Sequence, residues 1–372
     1  MSTSLRNDVP PFKTIVIKIG SRILAAAGNA ERIARLAADV AALHASGIRV
    51  ILVSSGAIAH GMQALGLTKR PTTIPLQQAC ASVGQNRLMS VYQSTFASHT
   101  ILTGQVLLTW DDLRSKKRYL NLRNTMFQLL EYGIIPIVNE NDSVGVEEIR
   151  FGTNDILAAQ MAVLVQAEVL VNLTDVSGLY DSNPNSDPDA VHIPVVNQMS
   201  DALHLLAADR KNEISVGGMS SKLKAAEVVA RAGIFYLIGD GFNRRLSEVL
   251  SSKSCSTVFL PARKKMSSRR SWMAFSGTPQ GSLTIDQGAA TAIIVKGKSL
   301  LPAGIREITG SFKAGDNVDI QTSPGAVIAR GLVNYPSEDL RLILGCKTSD
   351  IAARLGRKEF DEVIHRDNLV VL

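Results

Sequence analysis

Two lysines more than 200 residues apart carry the chemical information in this chain. Lys18 closes the apolar run Thr14-Ile15-Val16-Ile17-Lys18 and is followed by Ile19-Gly20-Ser21. Lys222 ends the stretch Gly217-Gly218-Met219-Ser220-Ser221-Lys222. Between them lie Asn139-Glu140-Asn141-Asp142 and Gly152-Thr153-Asn154-Asp155. Paired cations, glycine-flanked turns and a few placed carboxylates suit phosphoryl transfer. Charge builds there on the transferred oxygens, so catalysis is mostly positioning and electrostatic clamping. A glycine after a strand-end lysine lets backbone approach an anion. Lys222 falls in the first turn of an expected helix, where the helix dipole disfavours a cation, so its position points to a bound anion. Ser220 or Ser221 is placed to cap that helix. Neither G-x-x-x-x-G-K-[ST] nor G-x-G-x-x-G occurs, so the common nucleotide fingerprints do not apply.

The elements that must position these groups are legible as a β-α-β-α succession over residues 12–260. Runs rich in Val and Ile, lacking polar alternation, predict strands buried on both faces at 14–19, 48–53, 104–108, 134–138, 168–173 and 234–238. Helical segments are expected at 30–46, 77–98, 116–131, 155–166 and 220–232. In the first of these Ile33, Leu36, Ala37, Val40 and Leu43 form one stripe. Gly47 and Gly233 stand where helices should stop before the next strand. Regular alternation implies a mainly parallel sheet with helices on both faces. From Gly281 the rhythm changes to short strands, at 281–285, 318–321 and 327–333, separated by Gly-, Pro- and Asp-bearing turns. This predicts a small β-rich domain over 281–372.

Composition narrows the class. With 372 residues, 45% apolar and 20% charged, the chain reads as a soluble protein of two domains. Cys80, Cys255 and Cys346 are odd in number and widely spaced, which fits neither a disulfide framework nor a metal site. The start has no apolar targeting run, and no apolar stretch approaches the roughly 20 residues of a membrane span, so a cytoplasmic location is expected. The net charge is +7, but residues 261–280 alone hold five basic residues (Arg263, Lys264, Lys265, Arg269, Arg270) and no acid. Residues 281–372 balance at 11 basic and 11 acidic. Most of the basicity therefore belongs to an expected solvated connector, which weakens a nucleic-acid reading.

The motifs around Lys18 and Lys222, with Val53-Ser54-Ser55-Gly56-Ala57, resemble the amino acid kinase family. Further stretches narrow the likeness to its glutamate-phosphorylating branch: Val83-Gly84-Gln85-Asn86-Arg87-Leu88, Pro136-Ile137-Val138-Asn139-Glu140-Asn141-Asp142, and Gly178-Leu179-Tyr180-Asp181-Ser182-Asn183-Pro184. Leu300-Leu301-Pro302-Ala303-Gly304-Ile305 and the stretch from Gly310 to Asp316 resemble a PUA domain.

The likeness implies a three-layer αβα sandwich with a small C-terminal β-barrel. The implied reaction is ATP-dependent phosphorylation of the side-chain carboxylate of L-glutamate, opening proline biosynthesis. Lys18 and Lys222 would hold the ATP phosphates, with Asp155 orienting both. Ser55, Gly56, Asp142 and Asn154 would bind glutamate. Lys18, Gly20, Thr174, Asp175 and the run Val216, Gly217, Gly218, Met219, Ser220, Ser221, Lys222 would contact ATP. Mg2+ would ride on the nucleotide phosphates, with no protein metal site. Proline is implied as a feedback inhibitor, and a homo-oligomer as the assembly.

Two departures from the family pattern stand out: Thr153 where an acid is usual, and Arg22 where a small hydroxyl residue is usual. A sister kinase of altered substrate, or an RNA-associated protein working through the tail, are the alternatives.

Overall fold

The computed structural model describes residue 6 and residues 8–25, 29–145, 154–182, 184, 186–199, 203, 218–262, 268–275, 279–322 and 325–372. The chain divides into two compact units. One comprises residues 1–113 and 117–266; the other comprises 267–372 with 114–116.

The first unit is built on an eight-stranded sheet. Its strands are β1 (Thr14–Ile19), β2 (Arg49–Val53), β3 (Thr103–Leu108), β4 (Ile135–Glu140), β5 (Val169–Thr174), β8 (Val195–Val196), β9 (Phe235–Asp240) and β10 (Ser256–Phe259). They lie in the order β3-β4-β2-β1-β5-β9-β10-β8, and β6 (Leu179–Tyr180) and β7 (His192–Ile193) form a separate two-stranded ribbon. From β3 to β9 all neighbours are parallel; β10 runs antiparallel to β9 and parallel to β8. The described helices are α1 (Ser21–Ala25), α2 (Asn29–Ala45), α3 (Ala57–Ala64), α4 (Ile74–Ala97), α5 (Trp110–Arg114), α6 (Lys116–Glu131), α7 (Asn154–Leu164), α8 (Met219–Arg231) and α9 (Leu246–Ser251).

Side chains alternate across a strand, and the alternation decides what lies where. Ile15, Ile17 and Ile19 of β1, with Val50 and Leu52 of β2 and Val169, Val171 and Leu173 of β5, join one core with α2, α4 and α9. The other residues of β1, Val16 and Lys18, therefore face the opposite side, as do Asn172 of β5 and Tyr236 of β9. Helices α7 and α8 pack on that side, against β1, β5 and β9. Every strand residue of β1 is buried, Lys18 included.

Most expected elements fall within one to three residues of their observed ends. Gly47 and Gly233 adopt φ +83° and +78°, the left-handed geometry expected just past a helix. Sequence reading did not anticipate α3, β8 or β10. The first is only eight residues long and follows Gly56 directly. The strands are two and four residues long.

Helices α3 and α4 cross through glycines. A Cβ on Gly84 would stand 1.8 Å from the Ala57 carbonyl oxygen, and one on Gly61 would stand 1.8 Å from that of Cys80. No rotamer change relieves a clash with backbone. Gly84→Ala should therefore push the helices apart and lower stability by about 1–3 kcal/mol or more, read as a fall in the thermal melting midpoint.

The second unit carries a five-stranded sheet ordered β12 (Ile305–Gly310), β11 (Gly281–Ile285), β13 (Asn317–Thr322), β14 (Ala326–Leu332) and β15 (Leu369–Val371). β11 and β13 are parallel and the other pairs antiparallel, with irregular register at Thr284/Ile285 and Ile320/Gln321. It has its own core, including Leu283, Ile285, Val318, Ile320 and Leu340. The stretch 261–280, read from sequence as a solvated connector, instead contains helix α10 (Ser268–Phe275). Its Trp272, Met273 and Ala274 are buried. Arg330 Nη1 donates to the Ala274 carbonyl at 2.7 Å and Asn317 Nδ2 to that of Met273 at 3.1 Å. The apolar triplet, not the surrounding charge, decides where this segment lies. Arg263, Lys264 and Lys265 lie outside the described residues.

Candidate active site

The predicted site residues that the structure describes gather at the carboxyl ends of the parallel strands, where open α/β sheets place ligands. Lys18 comes from the end of β1, Thr174 from the end of β5, and Ser54 and Ser55 from the turn after β2. Asp155 sits in the first turn of α7, and Lys222 in the first turn of α8.

At the centre both lysines share one carboxylate. Lys18 Nζ lies 2.7 Å from Asp155 Oδ1, and Lys222 Nζ lies 3.4 Å from Asp155 Oδ2. All three are nearly withdrawn from solvent, with 7%, 1% and 6% of Lys18, Asp155 and Lys222 exposed. Ser221 Oγ donates to Asp155 Oδ2 at 2.5 Å and Asn172 Nδ2 to Oδ1 at 2.9 Å. Asn172 is fixed in turn by the Tyr236 hydroxyl, 2.8 Å from the same nitrogen. Burial by itself would raise the Asp155 pKa. The charges of Lys18 and Lys222, with hydrogen bonds from Lys18 and Ser221, outweigh it and hold the carboxyl well below its ordinary range.

Two buried cations share one carboxylate, a concentration of positive charge that favours the arrival of a further anion. A transferred phosphoryl group would be such an anion. Lys222 shows the strain: burial lowers its pKa, Lys18 lowers it further, and Asp155 offsets this only in part. The cation is needed for phosphate contact, so kcat/KM for ATP should fall as pH rises through a pKa below the ordinary lysine value of 10.5. A pH-rate profile checks this, and Lys222→Arg, whose guanidinium stays charged, should move the alkaline limb upward.

A second cluster adjoins the first. Asn154 Nδ2 shares its two hydrogens among three oxygens, the Ser54 carbonyl at 2.6 Å, Ser55 Oγ at 2.8 Å and Asn139 Oδ1 at 3.0 Å. Asn139 Nδ2 donates to Gln85 Oε1 at 2.9 Å. The buried hydroxyls of Ser54 and Tyr92 pair at 2.9 Å. Gly56 caps α3 with φ +95°, a conformation that favours glycine. Asp142 stands half-buried in the turn past β4, three residues beyond Asn139.

Some expectations change in detail. The Gly20 amide donates to the Leu173 carbonyl at 2.9 Å, so it is not turned toward an anion. A Cβ there would come within 3.1 Å of that oxygen, so the glycine serves close approach to β5. Neither serine caps α8. Gly218 is the N-cap without a side-chain bond, and the single Ser221 hydroxyl hydrogen is shared between Asp155 and the Gly218 carbonyl. Gly218 has φ −63°, open to any residue. Met219 and Ser220 lie at the start of α8. Arg22 forms an ion pair with Asp175, whose other oxygen accepts from Thr174 Oγ1 at 3.0 Å. Val216, Gly217 and Thr153 lie outside the described residues.

Sequence reasoning assigned no role to Asn172, Tyr236, Gln85 or Asn139. Asn172 left one trace, a lone amide inside the apolar run Val169-Leu170-Val171-Asn172-Leu173.

The fold and the shared-carboxylate lysines define a class: the chain belongs to the amino acid kinase family, whose model matches residues 13–240. A PUA domain model matches residues 281–355. Within the family, the chain is similar to glutamate 5-kinases. That of Syntrophus aciditrophicus is 45% identical over 97% of this chain and 94% of its own length. Those of Syntrophotalea carbinolica and Caldanaerobacter subterraneus subsp. tengcongensis are 43% and 44% identical. They match over 99% and 96% of this chain, and 100% and 97% of theirs. Among the described residues no helix is long and apolar enough to cross a membrane.

Proposed function

We propose that this chain transfers the γ-phosphoryl group of ATP to the side-chain carboxylate of L-glutamate, giving L-glutamyl 5-phosphate and ADP. The observation that carries this reading is the pair Lys18 and Lys222 held on the single carboxylate of Asp155. An oxygen of the glutamate carboxylate attacks the γ-phosphorus; the bond to the bridging oxygen breaks and its electron pair leaves with ADP. The nucleophile is already ionised, so no general base is required. Lys18 and Lys222 neutralise charge on the transferred oxygens, and Asp155 keeps both ammonium groups aimed.

The start of α8 offers backbone N–H groups to the nucleotide phosphates. Thr174 and Asp175 edge the same end of the sheet and line the nucleotide side. Ser55, Gly56, Asp142 and Asn154 receive the amino acid. Mg2+ would be carried by the nucleotide phosphates and would supply charge neutralisation there.

Proline, sharing the amino acid head of glutamate, is read as a feedback inhibitor. The enzyme is read as a cytoplasmic homo-oligomer, and its PUA domain, with balanced charge, as structural or regulatory rather than RNA-binding.

The test is ADP release with Mg-ATP and a panel of L-glutamate, N-acetyl-L-glutamate and L-aspartate, with hydroxylamine present to trap an acyl phosphate. Turnover on glutamate with hydroxamate formation is expected. Turnover on another member of the panel alone would move the specificity and overturn the reading.

A further inference from the structure

The second cluster has a direction that can be read from one obligate acceptor. A backbone carbonyl only accepts, so the Ser54 oxygen 2.6 Å from the Asn154 amide must face its nitrogen. Asn139, 3.0 Å from the same nitrogen, must then present Oδ1. That turns Asn139 Nδ2 toward Gln85, which must answer with Oε1, as it does at 2.9 Å. The three amides thus form a one-way relay from Asn154 through Asn139 to Gln85.

Two consequences face the substrate. Asn154 Oδ1 is turned away from the relay and has no hydrogen-bond partner among the described residues, although buried. It is an acceptor waiting for a donor, as an ammonium group is. The amide nitrogen of Asn154, 2.8 Å from Ser55 Oγ, is a donor only, so the serine hydrogen is directed elsewhere, to an acceptor such as a carboxylate oxygen. One donor and one acceptor side by side match the α-ammonium and α-carboxylate of an amino acid.

Gln85 terminates the relay from α4, one residue past Gly84, whose contact with Ala57 fixes that helix against α3. Gln85 is 9% exposed and Asn139 1%, so water does not readily replace a lost partner. Gln85 Nε2 has no partner among the described residues, so the relay uses the side chain only through its acceptor.

We propose that Gln85 is a positioning residue for amino acid specificity: as terminal acceptor of the relay it holds Asn139, and through it Asn154, so that Asn154 Oδ1 receives the substrate ammonium. This rests on the amino acid kinase reading above and names what fixes its ammonium contact.

The test compares L-glutamate with glutarate, which lacks the ammonium, in the full-length native chain and in Gln85→Met and Gln85→Glu. Met removes the acceptor at nearly the same volume; Glu keeps an oxygen where Oε1 stands. In Gln85→Met the KM for glutamate should rise on the order of 10- to 100-fold, with the KM for ATP unchanged. The preference for glutamate over glutarate should narrow by a similar factor. Gln85→Glu should restore both, and thermal melts establish that each variant is folded. If folded Gln85→Met keeps the native glutamate-to-glutarate ratio, or loses glutamate and glutarate equally, Gln85 only packs and the proposal is wrong. If Gln85→Met does not fold, a Gln85→Glu ratio far below native overturns it and a native ratio upholds it. Absence of any glutamate turnover in the native chain would instead defeat the reading of the function itself.

Discussion

Lys222→Ala should reduce turnover by about 10³- to 10⁵-fold, the scale on which a single transition-state cation counts in phosphoryl transfer, while leaving the fold intact. The reason lies in the charge count at the site. In the native chain Lys18 and Lys222 both rest on Asp155. Removing Lys222 leaves a one-to-one pair of Lys18 and Asp155 and relieves the repulsion that contributes to the lowered Lys222 pKa. The thermal midpoint should therefore hold or rise, even as activity disappears. The loss should fall mainly on kcat, because charge on the transferred oxygens grows toward the transition state. Steady-state kinetics with a melting curve on the same preparation checks both halves. A variant that melts far below native would show the lysine acting as a structural prop.

Asp155→Asn should do the reverse to stability. Both lysines remain buried, 7% and 6% exposed, and both lose the carboxylate they share. Removing one member of a buried ionic cluster costs about 3–5 kcal/mol because uncompensated charge is left behind. Turnover should fall as well, since the amide cannot aim two ammonium groups. Saturating Mg-ATP or a polyphosphate should return part of the lost midpoint, by more than the same ligand raises the native one, since the anion replaces the missing carboxylate. Differential scanning calorimetry with and without nucleotide measures this. Equal midpoints for Asp155→Asn and Lys222→Ala would refute the assignment of Asp155 as the shared counter-ion.

The contrast between these substitutions also marks what a sequence reveals. Lys18 was legible because a cation ending a strand of Ile and Val is out of place, and Lys222 because a cation in a helix's first turn opposes the dipole. The parallel sheet was legible because strands buried on both faces must be apolar throughout. β10 was hidden by its length, since four residues are too few to establish a strand pattern. Ser221 read locally as a helix cap. Only the tertiary approach of α7 to α8 shows that its hydroxyl goes to Asp155. The Gln85–Asn139–Asn154 relay lay further out of reach. Its partners stand 54 and 15 residues apart on separate elements, and no local period relates them. The sequence placed all three residues in noticeable motifs; what they do to one another depends on the crossing of α3 and α4 at Gly61 and Gly84.

The most direct test of the central claim follows the oxygen. L-glutamate labelled with 18O in its side-chain carboxylate is incubated with the enzyme, Mg-ATP and hydroxylamine, and the released phosphate is analysed by mass. If the carboxylate attacks the γ-phosphorus between Lys18 and Lys222, each phosphate released on trapping carries one glutamate-derived 18O, and Lys222→Ala abolishes the label. Phosphate free of 18O alongside continued ADP release would mean that water, not glutamate, receives the phosphoryl group.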